Sequence, residues 1–376
     1  MWISWDSGNV EPVDALYIHV PFCVKKCGYC DFVSRPLHTC GPEATARFAE
    51  RIVKESALYP GNRYDTIYFG GGTPSLLTPD EVATILDATD IASGAEITLE
   101  VNPGTVDLQK LVAFRQAGIT RLSLGIQSLD DNLLRMLGRI HSAAEALQAY
   151  ETAREAGFEN VSLDMMFALP GQTLAGLEAD LKAFFKLSPE HLSLYALSWE
   201  QGTPFWEKRR RGELIPCENE TEALMFEMIM DYADGCGYRH YEISNFAREG
   251  FFSRHNLKYW RNRPYVGLGP AAAGYVGEIR YKNIREFAGW SAIVESGRRP
   301  RDEAEIVRVT DPLELEQYRA MLNLRLLIEG YEPLLPEFRE RCRDLSARGL
   351  LSEKQGRYTL TKRGLMIASD VTEEFL

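Results

Sequence analysis

Short apolar runs rich in β-branched and aromatic residues alternate with longer stretches whose apolar positions recur every three to four residues. "ALYIHV", "DTIYFG", "EITLEV", "RLSLGI", "NVSLDMMFAL" and "HLSLYAL" are the strand-like runs, all before residue 200. Between them lie "EATARFAERIVKES", "TPDEVATILDAT", "TVDLQKLVAFRQAG", "SAAEALQAYETAREAG" and "TLAGLEADLKAFFKLS", several opening on a Thr or Ser cap and closing on Gly. Six strands with five helices between them predict an α/β fold with a parallel sheet, open or rolled into a partial barrel, and helices outside. Past residue 200 the alternation loosens into Gly-, Pro- and aromatic-containing segments, which reads as an extension wrapping the sheet over residues 201–305. From 306 to 376 two helices, a hairpin "LLSEKQGRYTLT" and a last helix suggest a winged-helix-like α+β module.

The 376 residues suffice for a large domain plus a smaller one. A formal charge of −12 makes a poor partner for phosphate backbones, so nucleic acid is not expected. Arg339, Arg341, Arg343, Arg348 and Arg357 in the last module are interspersed with glutamates, as on a solvated helix face. Seven cysteines, no amino-terminal secretion signal and no apolar run of membrane length point to a reducing, cytoplasmic setting where thiols are free to bind metal.

Three of those thiols, Cys23, Cys27 and Cys30 in "CVKKCGYC", stand at C-x3-C-x2-C spacing just after the first strand. Zinc would be one ligand short, since Cys40, Cys217, Cys236 and Cys342 are scattered. A 4Fe-4S cluster on three thiolates leaves one iron open to a further ligand. Cys40 or His38 as a fourth ligand is the alternative reading.

This spacing, with Tyr29 before the last cysteine, resembles the signature of the radical S-adenosylmethionine (SAM) superfamily, and later segments resemble its oxygen-independent coproporphyrinogen III oxidase-like branch. The resemblance runs over nearly the whole chain and implies a partial (β/α)6 barrel of TIM type carrying a 4Fe-4S cluster on Cys23, Cys27 and Cys30. It further implies that SAM is held by residues at the carboxyl ends of the strands, where parallel barrels build their sites. These are Gly71, Gly72 and Thr73 in "GGGTPS", Glu100 in "TLEVNP", Gln127 in "GIQS", Arg139 in "LGRIHS", Asp164 within "NVSLDMMFAL", and Tyr17 and Tyr29 around the cysteine loop. Taken singly each has a plainer reading: a turn for the glycines, a paired core polar group for Glu100, Gln127 and Asp164, a surface charge for Arg139. Strand periodicity puts Tyr17 and His19 on one face, toward the barrel interior, with His19 itself read as a satisfied core histidine.

Within that branch two functions compete. One is oxygen-independent coproporphyrinogen III decarboxylation in porphyrin biosynthesis. The other is haem chaperoning, in which haem is bound and passed to acceptor proteins, a transient membrane-protein acceptor among them. The oxidases carry a longer amino-terminal arm and a further cysteine two positions after the third. Here Tyr17 has sixteen residues before it and Phe32 stands at that position, as in the haem chaperone family. "YEISNFA" and "HNLKYW" also resemble that family's segments, and His255 in the latter is the candidate haem ligand. The alternative is a hydrogen-bonded buried corner. Ala273 in "PAAAGY" stands near where many relatives have a histidine. Cluster chemistry would also need an electron donor of flavodoxin or ferredoxin type.

Overall fold

In the computed structural model, which describes residues 12–376, the six apolar runs form the strands of one parallel sheet. They are β1 (Ala15–Val20), β4 (Tyr64–Gly71), β5 (Ile91–Val101), β6 (Arg121–Gln127), β7 (Val161–Phe167) and β8 (His191–Ala196), with the two-residue β2 (Phe22–Cys23) and β3 (Arg35–Pro36) following β1. Residues 1–11, the start of the amino-terminal arm, lie outside the described part. Apolar residues of these strands, among them Leu16, Ile18, Ile67, Phe69, Leu99, Leu122, Leu163 and Leu192, are completely buried beneath the outer helices. Burial at roughly 25 cal/mol per Å2 of apolar surface makes this packing the main stabilising term.

The helices start where the sequence offers an acceptor for their first amides. Thr78 and Ser142 each close a capping box with Glu81 and Glu145, ahead of helices Pro79–Asp87 and Ala143–Glu155, and Thr173 caps Leu174–Leu187. A short helix not anticipated from the periodicity, Asp131–Leu137, is capped by Asp130 and ends at Gly138, whose φ of 82° a side-chain-bearing residue adopts only at a cost.

The extension does more than wrap. It adds β9 (Arg239–Glu242), β10 (Asn245–Ala247) and β11 (Val266–Leu268), and the full strand order is β11-β1-β4-β5-β6-β7-β8-β10-β9. Strand β11 is parallel to β1, whereas β10 is antiparallel to β8 and to β9. The following module comprises helices Pro312–Asn323 and Pro336–Ala347, a hairpin of Leu351–Lys354 with Arg357–Leu360, and two short helices where one was expected, Lys362–Leu365 and Ala368–Glu373. It packs at the β9 end of the sheet. Leu327 N donates to Tyr241 O, Arg325 lies over Trp260, and Leu365–Asp370 close a cavity of ≈ 680 Å3 against Phe167, Leu194 and Phe226. No helix among the described residues is long and apolar enough to cross a membrane.

Candidate cofactor site at the carboxyl ends of the strands

The loop carrying the three cysteines is held from several sides. Gly28 N donates to Leu137 O at 3.2 Å, Phe205 N donates to Gly28 O at 2.9 Å, and Arg35 N donates to Pro21 O at 2.9 Å. A side chain at Gly28 would collide with the Phe205 ring, 2.7 Å from an added Cβ. These bonds and this contact fix the path of the loop. Cys23, Cys27 and Cys30 all line one cavity of ≈ 250 Å3, shared with Tyr29, Gly71, Gly72, Thr73, Glu100, Gln127, Arg139 and Asp164. Of the expected cofactor set, only Tyr17 and His255 do not line it.

The thiols form the wall of this cavity without closing into a cage, and no group of three or more metal-ligating side chains among the described residues does so. Burial, with a further contribution from Cys27 and Cys23, pushes the Cys30 thiol up to about 11. Three soft donors on one wall fit an iron-sulfur cluster, whose positive metal charge would favour their deprotonated form. Thr73 Oγ1 lies 3.6 Å from Cys23 Sγ, and Arg139 Nη1 lies 3.9 Å from Cys27 Sγ.

The rest of the lining is acidic and polar. Glu100 Oε1 accepts from the Tyr68 hydroxyl at 2.9 Å and Oε2 accepts from Gly71 N at 3.2 Å. Asp164 accepts from Ser123 Oγ at 3.0 Å and from Ser162 Oγ at 3.2 Å. Burial raises both carboxyls, Glu100 to about 7 and Asp164 to about 6, and Asp164 adds to the rise at Glu100. A cationic ligand between them would relieve the desolvation of the charged forms. Arg139 donates from Nη2 to Gly125 O at 2.6 Å, while its buried Nε finds no partner among the described residues. Such an orphaned donor fits a carboxylate or a hydroxyl on a ligand. Gln127, in the left-handed region at φ 72°, accepts from Tyr195 OH at 2.8 Å. Cationic, carboxylate and ribose-like groups thus each have a match in this wall, which is the set that SAM presents.

The glycine triplet also sets the packing of β4. An added Cβ at Gly71 would sit 2.5 Å from His19 Cε1, and at Gly72 it would sit 2.5 Å from Phe22 O. Gly72 N and Thr73 N donate to Val20 O and Phe22 O at 2.8 and 2.7 Å. The glycines let the cysteine-bearing segment itself approach β4. Tyr17 and His19 do share a face, the Tyr17 hydroxyl meeting His19 Nδ1 at 3.0 Å, and His19 Nε2 donates to Val33 O at 2.8 Å. His19 thereby ties β1 to the far end of the cysteine loop.

His255 does not line this cavity. It is completely buried in helix Arg254–Trp260, with Nδ1 3.0 Å from Thr66 Oγ1 and Nε2 2.7 Å from Tyr259 OH. Its ring stacks on Tyr68 at 5.3 Å, and burial lowers its pKa to about 3. Glu96 accepts from Arg254 N and His255 N, fixing the helix start against the sheet. With both nitrogens hydrogen-bonded, the imidazole supports Tyr68 from inside the sheet. The hydrogen-bonded corner that the sequence offered as the alternative is thus formed.

Sequence reasoning also missed a buried relay. In the arrangement that satisfies every member, Tyr241 OH donates to His191 Nε2 and His191 Nδ1 donates to Ser162 Oγ, both at 2.8 Å, and Ser162 donates on to Asp164. Single polar residues in apolar strands were its only signal.

Residues 17–184 match the Radical SAM superfamily. The chain is 33% identical over 380 residues to "Heme chaperone HemW" of Lactococcus lactis, covering 98% of each, and 34% identical over 377 residues to the protein of that name from Bacillus subtilis, covering 96% of this chain and 98% of the relative. The Escherichia coli protein of the same name is 34% identical over 382 residues, covering 97% of this chain and 98% of the relative. Among solved structures, E. coli coproporphyrinogen III oxidase (HemN) superposes with a TM-score of 0.81 at 20% identity, covering 97% of this chain and 90% of that one, a likeness of fold. With its parallel sheet, its cysteine loop and full-length relatives at this identity, the chain belongs to the HemW family of the radical SAM superfamily.

Proposed function

We propose that this protein is a cytoplasmic haem chaperone that binds haem and passes it to acceptor proteins, carrying a 4Fe-4S cluster on Cys23, Cys27 and Cys30 and SAM in the adjoining cavity. The observation that carries the cofactor assignment is the meeting of the three thiols with Glu100, Asp164, Gln127 and Arg139 around one cavity. The cargo assignment draws on the full-length likeness to proteins named haem chaperones, and on Phe32, which is 58% exposed at the cavity rim where the oxidases carry a further cysteine.

In this reading Glu100 and Asp164 hold the cationic end of SAM, Arg139 takes its carboxylate, and Gln127 orients its ribose. Tyr68, Ser123 and Ser162 keep the two carboxylates aimed at the cavity. When bound, the cluster and SAM together supply one-electron chemistry at the sulfonium. Next to the cysteine loop, helix Pro204–Arg210 ends in the exposed run Lys208, Arg209 and Arg210, followed by Arg211. That face suits an acidic electron donor of flavodoxin or ferredoxin type. We divide the chain into a core barrel (1–200), an extension (201–305) and a carboxyl-terminal module (306–376), the last serving as a docking element for the acceptor.

The test is haem titration beside coproporphyrinogen III turnover on anaerobically reconstituted protein with a competent electron donor. Stoichiometric haem binding, transfer to an apo-acceptor and no decarboxylation are expected. Decarboxylation would overturn the chaperone reading.

A further inference from the structure

We propose that Arg121 is a positioning residue of the SAM site, a fixed cation beneath the cavity that keeps Glu100 and Asp164 in the form a cationic ligand requires; the assignment rests on the SAM reading above. Arg121 opens β6 and is only 2% exposed, one of the largest side chains buried in the protein. Side chains alternate along a strand, so it points the same way as Ser123, whose hydroxyl donates to Asp164. The register of β6 with β7 is regular from Leu122 to Gly125, and Arg121 thus lies one inward layer below Ser123, about 7 Å back along the strand. On β5, Thr98 pairs with Arg121 and Glu100 with Ser123. Both carboxylates therefore belong to the layers above the guanidinium, between it and the cavity they line. Arg121 forms no ion pair among the described residues, and its buried Nε has no partner there.

A guanidinium keeps its proton in a protein, and burying it without a counterion is costly, so its field acts on the nearby groups that can change charge. Those are the two carboxyls. Burial raises Glu100 to about 7 and Asp164 to about 6, and the charge of Arg121 opposes the rise at both. The other groups facing them do not change charge between pH 6 and 8.5. Burial holds Tyr17, Tyr68, Tyr195 and Tyr259 well above their ordinary range, as neutral phenols. It holds His191 and His255 below theirs, as neutral imidazoles. Arg139 stays charged, and the three thiols carry the cluster in the reconstituted protein. Within this window the ionisation of Glu100 and Asp164 is thus what Arg121 can govern.

The experiment measures SAM affinity by calorimetric titration between pH 6 and 8.5 on the anaerobically reconstituted full chain, comparing wild type with Arg121→Met, Arg121→Gln and Arg121→Lys. Without the cation, the midpoint of the rise in affinity should move up by about one pH unit. At pH 7 the anionic fraction of Glu100 then falls from about one half to about one tenth, so the two neutral variants should bind SAM roughly fivefold more weakly, the deficit closing toward pH 8.5. Arg121→Lys keeps the charge and should stay near the wild-type midpoint. A deficit of equal size at every pH, an unmoved midpoint in the neutral variants, or a lysine variant that behaves like them would overturn the assignment. Failure of both neutral variants to fold would also overturn it, since the charge would then serve the barrel. A wild type that binds no SAM at any pH would remove the cofactor reading instead.

Discussion

The phenol of Tyr68 donates to Glu100 at 2.9 Å, joining the interior of β4 to the acidic wall of the cofactor cavity. His255 stacks on that phenol, so a residue of the "HNLKYW" segment reaches the cavity through one intermediate side chain. The segment's part in the cofactor site is support from inside the barrel.

Glu100 sets a pH dependence. Its carboxyl titrates at about 7 in the folded protein against 4.5 normally, because burial disfavours the anion. A carboxyl with a raised folded pKa stays protonated in the folded state while the unfolded chain has already released its proton. Its contribution to stability therefore falls as pH rises from about 4.5 to 7 and is level above. A cationic ligand prefers the anion, so SAM affinity should increase between pH 6 and 8. In Glu100→Gln, calorimetric titration should show affinity reduced roughly tenfold or more and this dependence flattened. Asp164, raised to about 6, should leave only a residual rise near pH 6, and an undiminished rise around pH 7 in the variant would place the titrating group elsewhere.

His255→Ala should destabilise the fold. The change leaves Thr66 and Tyr259 without their imidazole partner and opens a cavity under Tyr68, which together cost about 2–4 kcal/mol. Urea unfolding measures this directly. Stability within 0.5 kcal/mol of wild type, roughly the range of a neutral surface change, would argue against the supporting role.

Gly71→Ala and Gly72→Ala test the contact between β4 and the cysteine segment. Gly71 lies at φ 103°, and an added Cβ there meets His19; at Gly72 it meets backbone oxygen, which cannot step aside. Both variants should lose at least about 1–3 kcal/mol and incorporate less iron on reconstitution. Full iron loading and unchanged melting would mean that the loop tolerates displacement.

The core strands were legible because each is a continuous apolar run, such as Val161–Phe167, buried on both faces apart from an inward polar residue such as Asp164. The cysteine loop was legible because its ligands lie within eight residues. Strands β9–β11 were not, since runs of three or four residues such as Val266–Leu268 carry too little periodicity, and what makes them strands is the partner edge. His255 and Tyr259 share a helix face by spacing alone, and that spacing serves a ligand and a buried corner equally. Thr66, Tyr68 and Tyr259, which complete the corner, lie too far off in the sequence or carry too common a spacing to be read from it.

The central claim is that three cysteines and no others hold the cluster beside the SAM cavity. Its most direct measurement is iron and sulfide content after anaerobic reconstitution of single-cysteine variants, with the electron paramagnetic resonance of the reduced cluster recorded with and without SAM. Cys23→Ala, Cys27→Ala and Cys30→Ala should each lose most of about four iron atoms per chain, whereas Cys40→Ala, Cys217→Ala, Cys236→Ala and Cys342→Ala should keep them and show a signal that shifts when SAM is added. Retention of the full cluster in any of the first three, loss in any of the last four, or a signal indifferent to SAM would contradict the account.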